Sequence, residues 1–115
     1  MIRVYSQSEI NSIAASGKIL ANVLDKISKE AAVGVSLKQL DKSAFELVKK
    51  AGAEPAFLNY RPHSATRPYP ASICASVNDV IVHGLPNNYK LKVGDVLKLD
   101  FGVKYKGFYS DAAVT

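Results

Sequence analysis

A chain of 115 residues with 48% hydrophobic content is enough for one compact globular domain and not for two, and it is too apolar for a disordered segment. Its single cysteine, Cys74, excludes an internal disulfide, and no apolar run approaches the roughly 18 residues of a membrane helix; the opening MIRVYSQSE lacks the apolar centre of a secretion signal, so the expected setting is cytoplasmic. The net charge of +5, from 15 basic and 10 acidic residues, is interspersed with acids rather than gathered, and predicts a solvated cationic surface with no dedicated nucleic-acid site.

The first predicted element is a helix over residues 6–34. Ser6 and Glu9 have capping-box spacing. Ile10, Ile13, Ala14, Gly17, Leu20, Ala21, Leu24, Ile27 and Ala31 then recur at three- and four-residue intervals as one apolar stripe, and Gly34 suits the position just past a helix end. A second helix follows over 36–51. Ser36 and Gln39 repeat the capping arrangement, with Leu37, Leu40, Ala44, Leu47 and Val48 as its stripe. Residues 54–72, EPAFLNYRPHSATRPYPAS, hold four of the five prolines and predict an ordered crossing loop rather than a central strand. Its aromatics Phe57, Tyr60 and Tyr69 either pin that loop to the body or line an apolar pocket. Beyond it, residues 73–115 predict short strands at 73–77 and 80–83 and a long hairpin over 95–115. Helices first and antiparallel strands after indicate an α+β fold, two helices packed on one sheet.

The hairpin carries two carboxylates. A turn closing around Tyr105 and Lys106 would set Lys104 opposite Gly107 and Asp100 opposite Asp111, with Cβ atoms about 5 Å apart on one face. Paired carboxylates repel and are costly to desolvate. A protein resolves this by sharing a proton, pairing with a base or binding a divalent cation. Leu97, Leu99, Phe101 and Val103 would fill the core face, while Gly102 on the Asp100 face would leave room for an ion or ligand. Two oxygen ligands fall short of the roughly four to six that a first-row divalent ion takes. The alternative is a solvated hairpin whose aspartates face water or a lysine.

A third polar group is His83, at the end of the apolar run Val80, Ile81, Val82 and just before a glycine and a proline. A histidine at the mouth of a strand can reach a cleft from a rigid backbone, to donate a hydrogen bond, carry a proton or bind a metal. It can also do none of these. His63, within RPHSATRP, has a weaker claim on its spacing.

YPASICASVNDVIVHGLP, followed by LKVGDVLKLDFGVKYKGFYSDAAVT, resembles the N-terminal half of a type 1 methionine aminopeptidase, and the likeness extends over the opening helices and the FLNY loop. The resemblance implies the pita-bread fold and metal-dependent removal of N-terminal methionine from nascent proteins and peptides, with a preference for a small second residue. It implies two divalent metal ions (cobalt, manganese, iron or zinc), one chelated by Asp100 and both bridged by Asp111. His83 would contact the substrate beside the scissile bond and stabilise its transition state. Tyr60 and Tyr69 would shape the methionine pocket, with Phe57 nearby. The implied partners are peptides and nascent chains with an N-terminal methionine, which sets the work close to the ribosome; no membrane partner is implied.

In this family the remaining ligands, a histidine and two glutamates, come from a C-terminal half. The expectation is therefore of a truncated chain holding half an active site, weakly active or inactive alone, with an exposed sheet edge that invites self-association. Two other readings share the fold: a non-catalytic binding or structural half-domain, and a proline-specific aminopeptidase. The SVN…VHG context and the lack of a preceding domain favour the methionine-specific branch.

Overall fold

Both helices begin at a serine and are closed by reciprocal capping. Ser6 Oγ accepts the Glu9 N–H at 3.2 Å while the Glu9 carboxylate accepts the Ser6 N–H at 3.0 Å. Ser36 and Gln39 repeat the exchange at 3.2 and 2.8 Å. Each exchange satisfies donors that a helix start leaves without partners. In the computed structural model, which describes residues 2–115, α1 spans Gln7–Glu30 and α2 spans Leu37–Lys50. The first helix thus stops four residues short of the expected residue 34. Ala31 turns extended (ψ 108°), and Gly34, at φ +89°, donates its N–H to the Leu91 carbonyl at 2.8 Å.

The buried line of α1 is Ser16, Leu20, Val23 and Ile27, offset from the expected stripe; Ala14 and Ala21 are exposed. Ser16 explains part of the offset. Its hydroxyl lies 2.8 Å from Ser110 Oγ, so a polar residue is accommodated inward and the helix presents a different face.

The sheet comprises β1 (Glu54–Pro55), β2 (Ile73–Val77), β3 (Leu97–Tyr105) and β4 (Phe108–Val114), all paired antiparallel to β3. β4 takes one edge of β3 along its length. β1 and β2 share the other edge in series, β2 against residues 97–101 and β1 against 103–104. Pro55 fits there because a two-residue edge pairing tolerates a missing donor. Leu99, Phe101 and Val103 are buried among Ile27, Leu40, Ala44 and Val48 of the helices. The architecture is α+β, two helices on an antiparallel sheet.

Three local expectations need correction. The hairpin turn is Lys106–Gly107, with φ +50° and +83° at its two central residues. Such a turn needs positive φ at both positions and matches the twist of the strands it joins, and Gly107 meets that demand where Tyr105 would not. Tyr105 therefore pairs with Phe108, Gly102 with Asp111 and Asp100 with Ala113. This moves β4 by two residues, an even number, so Asp100 and Asp111 keep a common face but become diagonal rather than opposite neighbours. Second, residues 80–83 form no strand: Val80, Ile81 and Val82 are exposed in an irregular loop, and no strand among the described residues pairs with them. Third, the space at Gly102 is already taken. A Cβ there would lie 3.0 Å from the Ser110 carbonyl oxygen and 3.3 Å from Phe57 Cε1, so this glycine admits an aromatic ring rather than an ion.

Candidate functional site

Alternation along β3 sends Leu99, Phe101 and Val103 into the core, so Lys98, Asp100 and Gly102 belong to the opposite face. Cys74 on β2 is directly opposite Asp100, and Asp111 on β4 is its diagonal neighbour. Asp111 is exposed, yet its carboxyl is pushed above the ordinary carboxylate range, first by partial desolvation and then by hydrogen bonding and charge from Asp100. Burial likewise pushes the Cys74 thiol up, against a hydrogen bond with Tyr69; the charges of Asp100 and Asp111 raise it further. Among the described residues neither carboxylate has an ion-pair partner. The floor of the site is a pair of neighbouring carboxyl groups.

The wall comes from the proline-rich loop. Its base is closed by two backbone hydrogen bonds, Tyr69 N–H to the Tyr60 carbonyl at 2.7 Å and Asn59 N–H to the Tyr69 carbonyl at 2.8 Å. The Phe57 and Tyr69 rings meet edge to face, 6.4 Å between centroids and 88° between planes, an arrangement aromatic pairs favour. The Tyr69 hydroxyl donates to the Ile73 carbonyl at 2.8 Å, which leaves the ring as an apolar surface. Its phenol is raised far above the usual range, chiefly by burial and then by contact with Cys74, so it stays neutral. Tyr60 stands at the rim, 62% exposed.

His83 sits in the loop after β2 with φ +57°, a left-handed conformation that side chains rarely adopt. The next residue is held close against β2. A Cβ on Gly84 would be 2.3 Å from the Ala75 carbonyl oxygen, and Gly84 exchanges backbone bonds with β2: its carbonyl accepts from Ala75 N–H at 2.8 Å and its N–H donates to Ser76 Oγ at 3.0 Å.

These parts enclose one cavity of about 490 Å³. Phe57, Tyr60, Tyr69, His83, Asp100 and Asp111, the six residues singled out in the sequence, all line it. His63 does not. Cys74 and Arg67 also line it and were not singled out; Cys74 carried a signal, since any antiparallel partner of Asp100 must share its face. Asp41 of α2 was also overlooked. Its carboxylate accepts the Ser72 and Ile73 N–H groups at 2.7 and 3.0 Å and fixes the chain between loop and β2. Nothing in its helical context announces that role.

Among the described residues no three histidine, cysteine, aspartate or glutamate side chains gather closely enough to hold a metal ion. Asp100 and Asp111 are hard oxygen donors, which suit a divalent cation, and they supply only part of a coordination sphere.

The sequence profile of metallopeptidase family M24 matches residues 11–115. A methionine aminopeptidase of Aquifex aeolicus is 44% identical over 115 residues, covering 99% of this chain and 45% of the relative. One from Helicobacter pylori is 38% identical over 114 residues, covering 99% and 43%. The crystal structure of the Thermotoga maritima methionine aminopeptidase superposes with a TM-score of 0.90 at 36% identity, over 99% of this chain and 44% of that one. The chain thus spans a little under half the length of the relatives it matches, and its architecture is that of the N-terminal half of their pita-bread fold.

Proposed function

The chain belongs to metallopeptidase family M24, and from that premise we propose that its cavity forms the substrate wall and part of the metal floor of a methionyl aminopeptidase. One observation carries this reading: an aromatic, apolar wall and a pair of neighbouring carboxyl groups, without an ion-pair partner among the described residues, face the same 490 Å³ space. The T-shaped Phe57 and Tyr69 pair offers an unbranched thioether side chain an apolar surface, a contact that aromatic edges favour. Asp100 and Asp111 would hold the divalent metal that the family uses. When bound, such an ion acts as a Lewis acid and makes a nucleophile available from water near neutral pH.

The chain's own residues do the rest. The two carboxylates fix charge at the floor. Phe57 and Tyr69 orient the methionine side chain and exclude water from it. His83, at the rim, donates a hydrogen bond to the peptide group as charge develops there, a contact that counts to the extent that it strengthens in the transition state. Two carboxylates are too few to complete a site, so we place the remaining ligands outside the described residues.

The test joins this chain to the C-terminal portion of the Aquifex aeolicus relative and assays methionine release with manganese or cobalt. The expected result is metal-dependent release from Met-Gly-Ser that exceeds release from Met-Leu-Ser, with no action on Ala-Pro-Ser. Asp111→Asn should lower the rate by about 100-fold or more. A folded, metal-binding chimera that releases no methionine sinks the reading. Release by the 115-residue chain alone, lost in Asp111→Asn, would show instead that copies of this chain complete the ligand set.

A further inference from the structure

We propose that Lys98 is a positioning residue, whose ammonium group fixes the 78–84 loop and thereby the place of His83 at the cavity rim. The functional weight of this rests on the reading of His83 as a substrate contact; the mechanical claim does not.

The loop is tied firmly at its two ends. At its start, Asn78 donates its backbone N–H to the Val96 carbonyl at 2.9 Å, and its side chain accepts the Val96 N–H at 2.9 Å and donates to Asp95 Oδ1 at 3.1 Å. At its end, Gly84 is held against β2 by the Ala75 and Ser76 bonds already described. The crown between these anchors lacks the usual means of ordering. Val80, Ile81 and Val82 are 46%, 75% and 61% exposed, so apolar burial does little to hold them. Beyond a bond from Val80 N–H to the Val77 carbonyl at 3.2 Å, the hydrogen-bonded tie to the body among the described residues is Lys98. Its Nζ donates to the Asn78 and Val80 carbonyls, both at 3.1 Å.

Two carbonyls converging on one ammonium form charge-assisted bonds, stronger than neutral ones. Their origin gives them meaning. Lys98 lies two residues before Asp100 on β3, on the same face, so the bonds run from the strand that carries Asp100 to the loop that carries His83. That sets the histidine and the carboxylate in one frame. His83 also needs such support, because its φ of +57° is a conformation that persists only where the surroundings impose it.

The experiment compares the 115-residue chain with Lys98→Met, which keeps an unbranched stem but removes the ammonium, and with Lys98→Arg, which keeps a cation. Backbone ¹⁵N relaxation and the ring resonances of His83 are read, with His63 as internal reference. In Lys98→Met, order parameters of residues 79–83 should fall from the rigid range near 0.85 to below about 0.6. The His83 ring shifts should move towards those of exposed His63, while core amides of α2 and β3 keep their values. Lys98→Arg should restore most of the loop order. Unchanged order and an unchanged His83 spectrum in a folded Lys98→Met chain overturn the proposal. So does a loss that spreads through the core, or one that Arg fails to rescue, since either marks Lys98 as general scaffolding. In the chimera described above, Lys98→Met should lower kcat with little change in KM. A loop that loosens in a chimera with no methionine release would separate a failure of the functional reading from a failure of this one.

Discussion

The strands flanking β3 have opposite characters. β2 is buried along nearly its whole length, pinned at its start by Asp41 and roofed by α2, whereas β4 is exposed from Asp111 onward. Both pair with β3 and both contribute to the same cavity. The difference teaches where rigidity comes from in this molecule. Asp100 stands on a strand built into the core. Asp111 stands on one whose outer edge has no partner among the described residues and which takes its order from β3 and α1.

The greatest effect on this contrast should come from paired truncations. Ile73→Ala, in the fully buried start of β2, should cost about 3 kcal/mol through lost burial and a residual cavity. Val114→Ala on β4, where the side chain is 39% exposed, should cost about 0.5 kcal/mol or less. Urea unfolding of the two variants measures the gap, and equal losses would erase the distinction drawn here. A somewhat smaller effect is expected of Asp41→Ala, about 2 kcal/mol, because it removes the charged acceptor from two N–H groups at the entry to β2. Hydrogen exchange should show the loss concentrated in residues 72–74 and absent from β4.

The smallest effect is a pH dependence on the β2 side. Asp95 accepts from the Lys92 backbone, the Tyr89 hydroxyl and the Asn78 side chain, which together hold its carboxyl below its ordinary value of 3.8. A carboxyl depressed in the folded state contributes stability that is fully present above the unfolded value and is lost as pH falls through the folded one. Acid titration of the native chain should therefore lose more stability below about pH 4 than Asp95→Asn does. Identical acid profiles would show that this network contributes nothing to the order of the β2 side.

Much of this arrangement is legible in the residues. The serine–glutamate and serine–glutamine pairs mark both helix starts because capping is a local interaction, decided within four residues. The alternation of Leu99, Phe101 and Val103 with Asp100 and Gly102 assigns the faces of β3 for the same reason. What fails is what depends on distant partners. Val80, Ile81 and Val82 have strand chemistry but no strand to pair with. The inward face of α1 turns on a bond between Ser16 and Ser110, far apart in the chain. The hairpin register depends on which two residues form the turn, and the demand for positive φ settles it in favour of Lys106 and Gly107. Asp100 and Asp111 kept a common face through that error only because the displacement was even. Phe57, Tyr60, Tyr69, His83, Asp100 and Asp111 were singled out through motif likeness and chemistry and line one cavity; Arg67 and Asp41, whose positions relative to loop and strand depend on the tertiary fold, were not.

The packing of Phe57 against Gly102 has a thermodynamic corollary. The ring that borders the apolar part of the cavity rests on the residue paired with Asp111 and two places along from Asp100, so the apolar and acidic parts share a mechanical wall. A guest that displaced the ring would act on the strand beneath the carboxylates through this contact. Any resulting change in cation affinity must, by reciprocity, appear as an equal change in affinity for the guest. If the proposed site binds both, occupancy of either part would be legible from the other, and titrating a thioether against manganese in both orders should return the same coupling factor.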